Sequence, residues 1–171
     1  MSTIQEITES IIRDNITHAV SDVFKTMLGR KSALVPDAAT SAAGDEAARA
    51  VPCVVGTVGF IGELNGLIYL HFDASFARVC AQQLLGMSEA EIDEAGDEVV
   101  NDAIGEITNM TVGSFKNSLC DAGFPCRLTI PSILRGTNFS IEPISSTSRY
   151  VFQFECTGHR MVADILIKSG E

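Results

Sequence analysis

Two stretches of this chain repeat their apolar residues with a helical period, and each leads into runs that alternate as strands do. No other feature of the sequence constrains the fold as much. In Thr3 to Leu28, Ile4, Ile7, Ile11, Val20, Val23, Phe24 and Met27 recur at three- and four-residue steps, which places them on one helix face. Ser2 or Thr3, followed by Gln5 or Glu6, resembles a capping box, and Gly29 is a natural stop. The second helix is expected from about Asp97 to Leu119, ending near Gly123.

Residues 31–50 are rich in Ala, Ser, Asp and Gly and read as a surface loop. From Val51 to Phe72 the residues turn β-branched, and Asn65-Gly66 between VPCVVGTVGFIG and LIYLHFD suits a hairpin turn. Asp73 or Ser75 should cap a shorter helix, Phe76 to Leu85, ended by Gly86. Ser88 to Glu91 forms another cap signal. After the second long helix come the strand-like runs CRLTIPSIL, TNFSIEP, YVFQFEC and RMVADILI, the last two joined by a turn at Thr157-Gly158-His159.

The order is helix, strands, helix, strands. Aligning Phe24 with Phe115 places Ile16 on Ile107 and Val20 on Thr111. The fold class expected is α+β, one domain over 1–171 made of two helix-then-strands units, about 1–86 and 87–171. The two long helices should pack on an antiparallel sheet.

Composition narrows the function. Hydrophobic residues make up 46% and charged residues 20%, which suits a chain with a real core. The net charge is −10 and no basic run is present, which argues against nucleic-acid and anionic-membrane partners. No apolar stretch approaches the roughly 20 residues a membrane span needs, and the charged N-terminal turns are unlike a signal peptide. Five cysteines, an odd number with no CxxC pair, read as free thiols in a reducing cytoplasm, with no activating base beside any of them. Among the histidines, His18 reads as a surface residue, His71 as a strand histidine in the core or at an edge, and His159 as a solvated turn residue.

The second helix contains an anomaly. Gly105 and Gly113 lie inside it, and each interior glycine costs about 0.5–1 kcal/mol relative to alanine. Between them stand Glu106 and Asn109. At roughly 100° per residue, Val100, Ala103, Ile104, Ile107, Met110, Ser114 and Phe115 gather on the core side. Asp102, Glu106, Asn109 and Gly113 fall within about 60° of one another on the other side, flanked by Gly105. Such a stripe is either a solvated face or a surface that another molecule approaches closely. A metal site from Asp102 and Glu106 is disfavoured, since neither a His nor a third acid joins them on the stripe.

Asp102-x3-Glu106-x2-Asn109 followed by Pro131 resembles the signature of the CheC/CheX/FliY chemotaxis phosphatases, with one residue fewer before the Pro than in the family pattern. The resemblance implies hydrolysis of the aspartyl phosphate of a phosphorylated CheY-type response regulator. It implies that Asn109 orients the attacking water, that Glu106 pairs with the regulator's active-site lysine, and that Asp102 and Pro131 support them. Gly105 and Gly113, which are no part of that signature, would keep the approach clear of side chains. No cofactor or metal would be bound by this chain, Mg²⁺ being supplied by the regulator. The first helix has Asn15 and His18 where a first Glu/Asn pair would lie, so the chain resembles the single-site CheX type, which implies a homodimer in the cytoplasm. The alternative is a non-catalytic module of the same fold that docks a receiver domain or a motor component.

Overall fold

The structure, a computed structural model, describes residues 8–36, 51–144 and 146–169. Its helices are α1 (Glu9–Leu28), α2 (Ala74–Leu85), α3 (Glu89–Ala95) and α4 (Asp97–Asp121). Its strands are β1 (Ser32–Leu34), β2 (Cys53–Gly62), β3 (Leu64–Asp73), β4 (Cys126–Leu128), β5 (Ser132–Gly136), β6 (Ser148–Cys156) and β7 (His159–Ser169). All pairings are antiparallel, and the sheet order is β1-β6-β7-β3-β2-β4, with β5 also paired to β2. The order has a hidden symmetry. Exchanging β1, β2 and β3 for β4/β5, β6 and β7 reverses it, so each half lends an edge strand to the other half's hairpin. This is the α+β arrangement of two helix-then-strands units, with the long helices on an antiparallel sheet.

The helix ends follow local chemistry. Thr8, in extended backbone, accepts a hydrogen bond at Oγ1 from Ile11 N–H at 3.3 Å and caps the start of α1. The expected capping box at Ser2 or Thr3 lies outside the described residues. Gly29 and Gly86 take left-handed backbone and end α1 and α2, as expected. Ser88 Oγ accepts from Glu91 N–H at 3.1 Å and starts α3. Asp73 precedes α2 without a side-chain cap bond.

Three strand expectations need correction. Ser32–Leu34 is not loop; it forms the edge strand β1 on β6, while residues 37–50 lie outside the described residues. The β2–β3 turn falls at Glu63, with Asn65 and Gly66 already inside β3. Gly66 is there for packing: a Cβ would lie 2.3 Å from the Phe60 ring and 2.4 Å from the Leu166 carbonyl oxygen. Asn65 still serves the turn, its Oδ1 accepting from Gly62 N–H at 3.1 Å. TNFSIEP is not a strand. It connects β5 at one side of the sheet to β6 at the other, and Arg149 holds it by donating to the Ile141 carbonyl at 3.0 Å. The turn at Thr157-Gly158 is as expected, both residues having positive φ.

The core lies between the helices and one sheet face. Phe24 of α1 meets Phe72 of β3 and Phe76 of α2, at centroid distances of 6.4 and 6.2 Å. Phe115 of α4 meets Phe60 of β2 edge-on at 6.2 Å. The aligned residues Phe24 and Phe115 thus each anchor a long helix to the sheet. His159 is not the solvated turn residue expected: its ring stacks on Phe76 at 4.7 Å. On the opposite sheet face Asp164, 2% exposed, accepts two hydrogen bonds from Arg149, at 3.0 and 2.6 Å. Burial lowers the pKa of the neighbouring His71, and Asp164 partly opposes the shift.

Gly56 sets how closely α4 approaches the sheet. A Cβ there would lie 1.9 Å from Thr108 Oγ1 and 2.8 Å from Thr108 Cβ. Thr108 is fully buried, and its hydroxyl donates to the Ile104 carbonyl at 2.7 Å, so no polar group is stranded. Gly56→Ala should therefore destabilise the fold by about 1–3 kcal/mol through overpacking, and adding Thr108→Ala should restore part of the loss. Denaturant unfolding of the single and double variants measures both effects.

Candidate functional site

α4 packs against α1, α2, α3 and the β2 edge together. Its buried face is therefore wider than a simple wheel implies: Thr108, Thr111 and Val112 are buried, whereas Met110 and Ser114 are only half-buried. Both threonine hydroxyls donate to the carbonyl one turn back, Thr108 to Ile104 and Thr111 to Ile107. The remaining stripe faces outward. Asp102 and Glu106 are exposed and Asn109 is half-buried.

Facing this stripe is the broken edge of the sheet. β4 and β5 pair with the two ends of β2, and residues 129–131 interrupt them. The interruption is held firmly. Thr129 N–H donates to the Gly59 carbonyl at 2.8 Å, and Gly59 N–H donates back to Thr129 Oγ1 at 2.8 Å. Pro131 follows. At the other end Arg135 of β5 bonds the Asn101 side chain and the Asp97 carbonyl, and it ion-pairs with Asp97 at 3.6 Å. The strand is thus stapled to the first turns of α4.

Between these walls lies an open hollow of about 270 Å³, lined by Asn101, Asp102, Gly105, Glu106, Asn109, Pro131 and Ile133. Five of the six residues singled out from sequence share it. Gly113 does not; it faces Leu128 of β4. Asn101 and Ile133 were missed. Asn101 lies one turn before Gly105 and could have been found on the wheel. Ile133 could not, because only strand pairing brings it opposite Gly56.

The glycines are not demanded by internal packing. A Cβ on Gly105 would meet Ile133 Cδ1 at 3.9 Å, and one on Gly113 would meet Leu128 Cδ1 at 3.9 Å, both ordinary contacts. Both glycines flank the edge strands and are half-buried, so they are less open than the wheel implied.

The polar groups are unspent. Among the described residues, no side-chain hydrogen bond or ion pair engages Glu106 or Asn109. By contrast, Asn65 and Asn101 both serve the fold through their side chains. The hollow therefore offers one carboxylate and one carboxamide, a neutral group that both donates and accepts.

Burial works against thiolate formation at four of the five thiols. Burial pushes Cys80 and Cys156 up to about 12 and raises Cys53 and Cys126 as well. All five cysteines are free. Among the described residues no cluster of three or more His, Cys, Asp or Glu side chains suited to a metal is assembled. Nor, among those residues, is any helix long and apolar enough to cross a membrane.

The fold that carries this hollow is shared with known proteins. The chemotaxis phosphatase CheX family matches residues 54–155. That is more than half of the chain, and the chain belongs to this family. Curated protein sequences give no significant match. Solved structures share the fold. The chemotaxis protein CheX of Vibrio vulnificus is 22% identical with a TM-score of 0.76, covering 95% of this chain and 100% of its own. CheX of Desulfovibrio desulfuricans is 20% identical with a TM-score of 0.73, covering 92% and 99%. A Borrelia burgdorferi CheX, solved as a complex with CheY, BeF3 and Mg²⁺, is 21% identical with a TM-score of 0.66, covering 92% and 98%.

Because a methyl group fits at position 105 at ordinary contact distance, Gly105→Ala should stabilise the chain by about 0.5–1 kcal/mol. Thermal or denaturant unfolding tests this, and a destabilised variant would mean that the backbone there needs glycine for the fold itself.

Proposed function

We propose that the chain hydrolyses the aspartyl phosphate of a phosphorylated CheY-type response regulator. One observation carries the reading: Glu106 and Asn109 line an open hollow, and among the described residues neither side chain has a structural partner. Family membership supplies the reaction class. The Borrelia complex with CheY supports a receiver domain as the partner.

An acyl phosphate is intrinsically reactive. Its hydrolysis needs a water in line with the leaving carboxylate oxygen more than it needs a strong base. In this reading α4 enters the regulator's active site. Asn109 accepts one hydrogen bond from the water, donates another, and holds it in line with phosphorus. Water oxygen bonds to phosphorus as the bond from phosphorus to the aspartyl oxygen breaks. The regulator's carboxylate leaves, and the water's proton goes to the released phosphate. Glu106 pairs with a cationic side chain of the regulator and fixes α4 in place. Asp102 and Pro131 support this placement, and Gly105 leaves room for the partner's backbone. The divalent cation is the regulator's own, and this chain binds none. The reaction belongs in the cytoplasm, where such regulators work.

The test is phosphate release from phosphorylated regulators of the same genome in Mg²⁺. Wild type should accelerate release, and Asn109→Ala should lower the rate about a hundredfold with little change in binding. Binding without acceleration would favour the alternative of a docking module.

We also infer a homodimer, as in the single-site CheX type. The exposed edges at β1 and β4/β5 leave backbone groups open to pairing. Sedimentation at micromolar concentration should give the mass of two chains; the mass of one would refute it.

A further inference from the structure

Beside the hollow stands a side chain that neither the fold nor the proposed chemistry uses. Among the described residues, the large hydrophobic side chains left most open are Ile130 at 87% and Ile144 at 74%, the others lying between 40% and 49%. A single exposed apolar residue is ordinary on a protein surface, so exposure alone decides nothing. The backbone at Ile130 decides more. On one side, Thr129 is pinned to Gly59 by two hydrogen bonds of 2.8 Å each. On the other, the Pro131 ring has a fixed φ and holds the residue before it in extended conformation. Ile130 projects because the chain is held there, not because it is slack. A serine would keep the same backbone, so folding gains nothing from the isoleucine.

Its position gives it a use. The hollow has a polar wall, Asp102, Glu106 and Asn109, and an apolar wall, Pro131 and Ile133. Ile130 directly precedes Pro131 of the apolar wall in the chain and is not itself among the residues that line the hollow. A partner whose acyl phosphate reaches Asn109 lies against Pro131 and so comes next to Ile130. We propose that Ile130 is a specificity-determining contact, packing on an apolar side chain that the regulator presents beside its phosphorylated aspartate. The inference rests on the phosphatase reading given above. Regulators with a charged or polar residue at that place are discriminated against, because the isoleucine would then be buried against an unpaired polar group.

The experiment compares steady-state hydrolysis by wild type, Ile130→Leu, Ile130→Ser and Asn109→Ala on the best phosphorylated regulator, with melting temperatures recorded. Ile130→Ser should raise KM about tenfold with kcat and melting temperature unchanged, as loss of a buried apolar contact does. Ile130→Leu should stay near wild type, and Asn109→Ala should lose kcat instead. An unchanged KM for Ile130→Ser beside an active wild type overturns the contact and leaves the phosphatase reading intact. A lowered melting temperature also overturns it, by giving Ile130 a role in the fold. An inactive wild type overturns the phosphatase reading itself, and this inference with it.

Discussion

The contact of Thr108 with Gly56 governs the geometry of this protein. Thr108 is on α4 between Glu106 and Asn109 in sequence, and it points the opposite way, into the sheet. With no Cβ on Gly56, its side chain occupies the space over β2. The hydroxyl is satisfied within its own helix, so close approach strands no polar group. Gly56 in turn pairs with Ile133 of β5, and Ile133 lies under Gly105, one turn before Thr108. The depth and rotation of α4, and with them the outward aim of Glu106 and Asn109, follow from this cluster of small residues.

The second wall depends on a break in the sheet. A continuous edge strand along β2 would present a regular ladder. Here β4 and β5 are separated, and the residue that bridges them, Thr129, makes two hydrogen bonds to Gly59 in place of the regular pairing. The break turns Pro131 toward α4 and leaves Ile130 outside. Arg135 then ties β5 to Asn101 and Asp97 at the start of α4. The hollow is closed at its back by packing and at one end by a charge-assisted staple, both made within this chain.

The two halves show how a shared plan can carry a single site. Both long helices anchor to the sheet by a phenylalanine, Phe24 or Phe115, and both lie beside an edge strand of their own half, β1 for α1 and β4/β5 for α4. The helix faces differ. α1 carries Asn15 and His18 at the places of Glu106 and Asn109, and neither substitutes for the carboxylate followed by the carboxamide.

The sequence by itself determined the two long helices, their order with the strands, the α+β class and the stripe of Asp102, Glu106 and Asn109. Those features are local: a 3.6-residue period and cap residues such as Gly29, Gly86 and Ser88 act within a turn or two of chain. Tertiary structure decided the rest. Asn65-Gly66 has the composition of a turn, yet Gly66 belongs to β3 because the Phe60 ring and the Leu166 carbonyl crowd it from distant parts of the chain. TNFSIEP has the residues of a strand, but its ends are held at opposite sides of the sheet, and it becomes a crossing connection. Pro131 and Ile133 meet Glu106 and Asn109 only because β5 pairs with β2 beneath α4, and strand pairing between distant segments leaves no local signal to read.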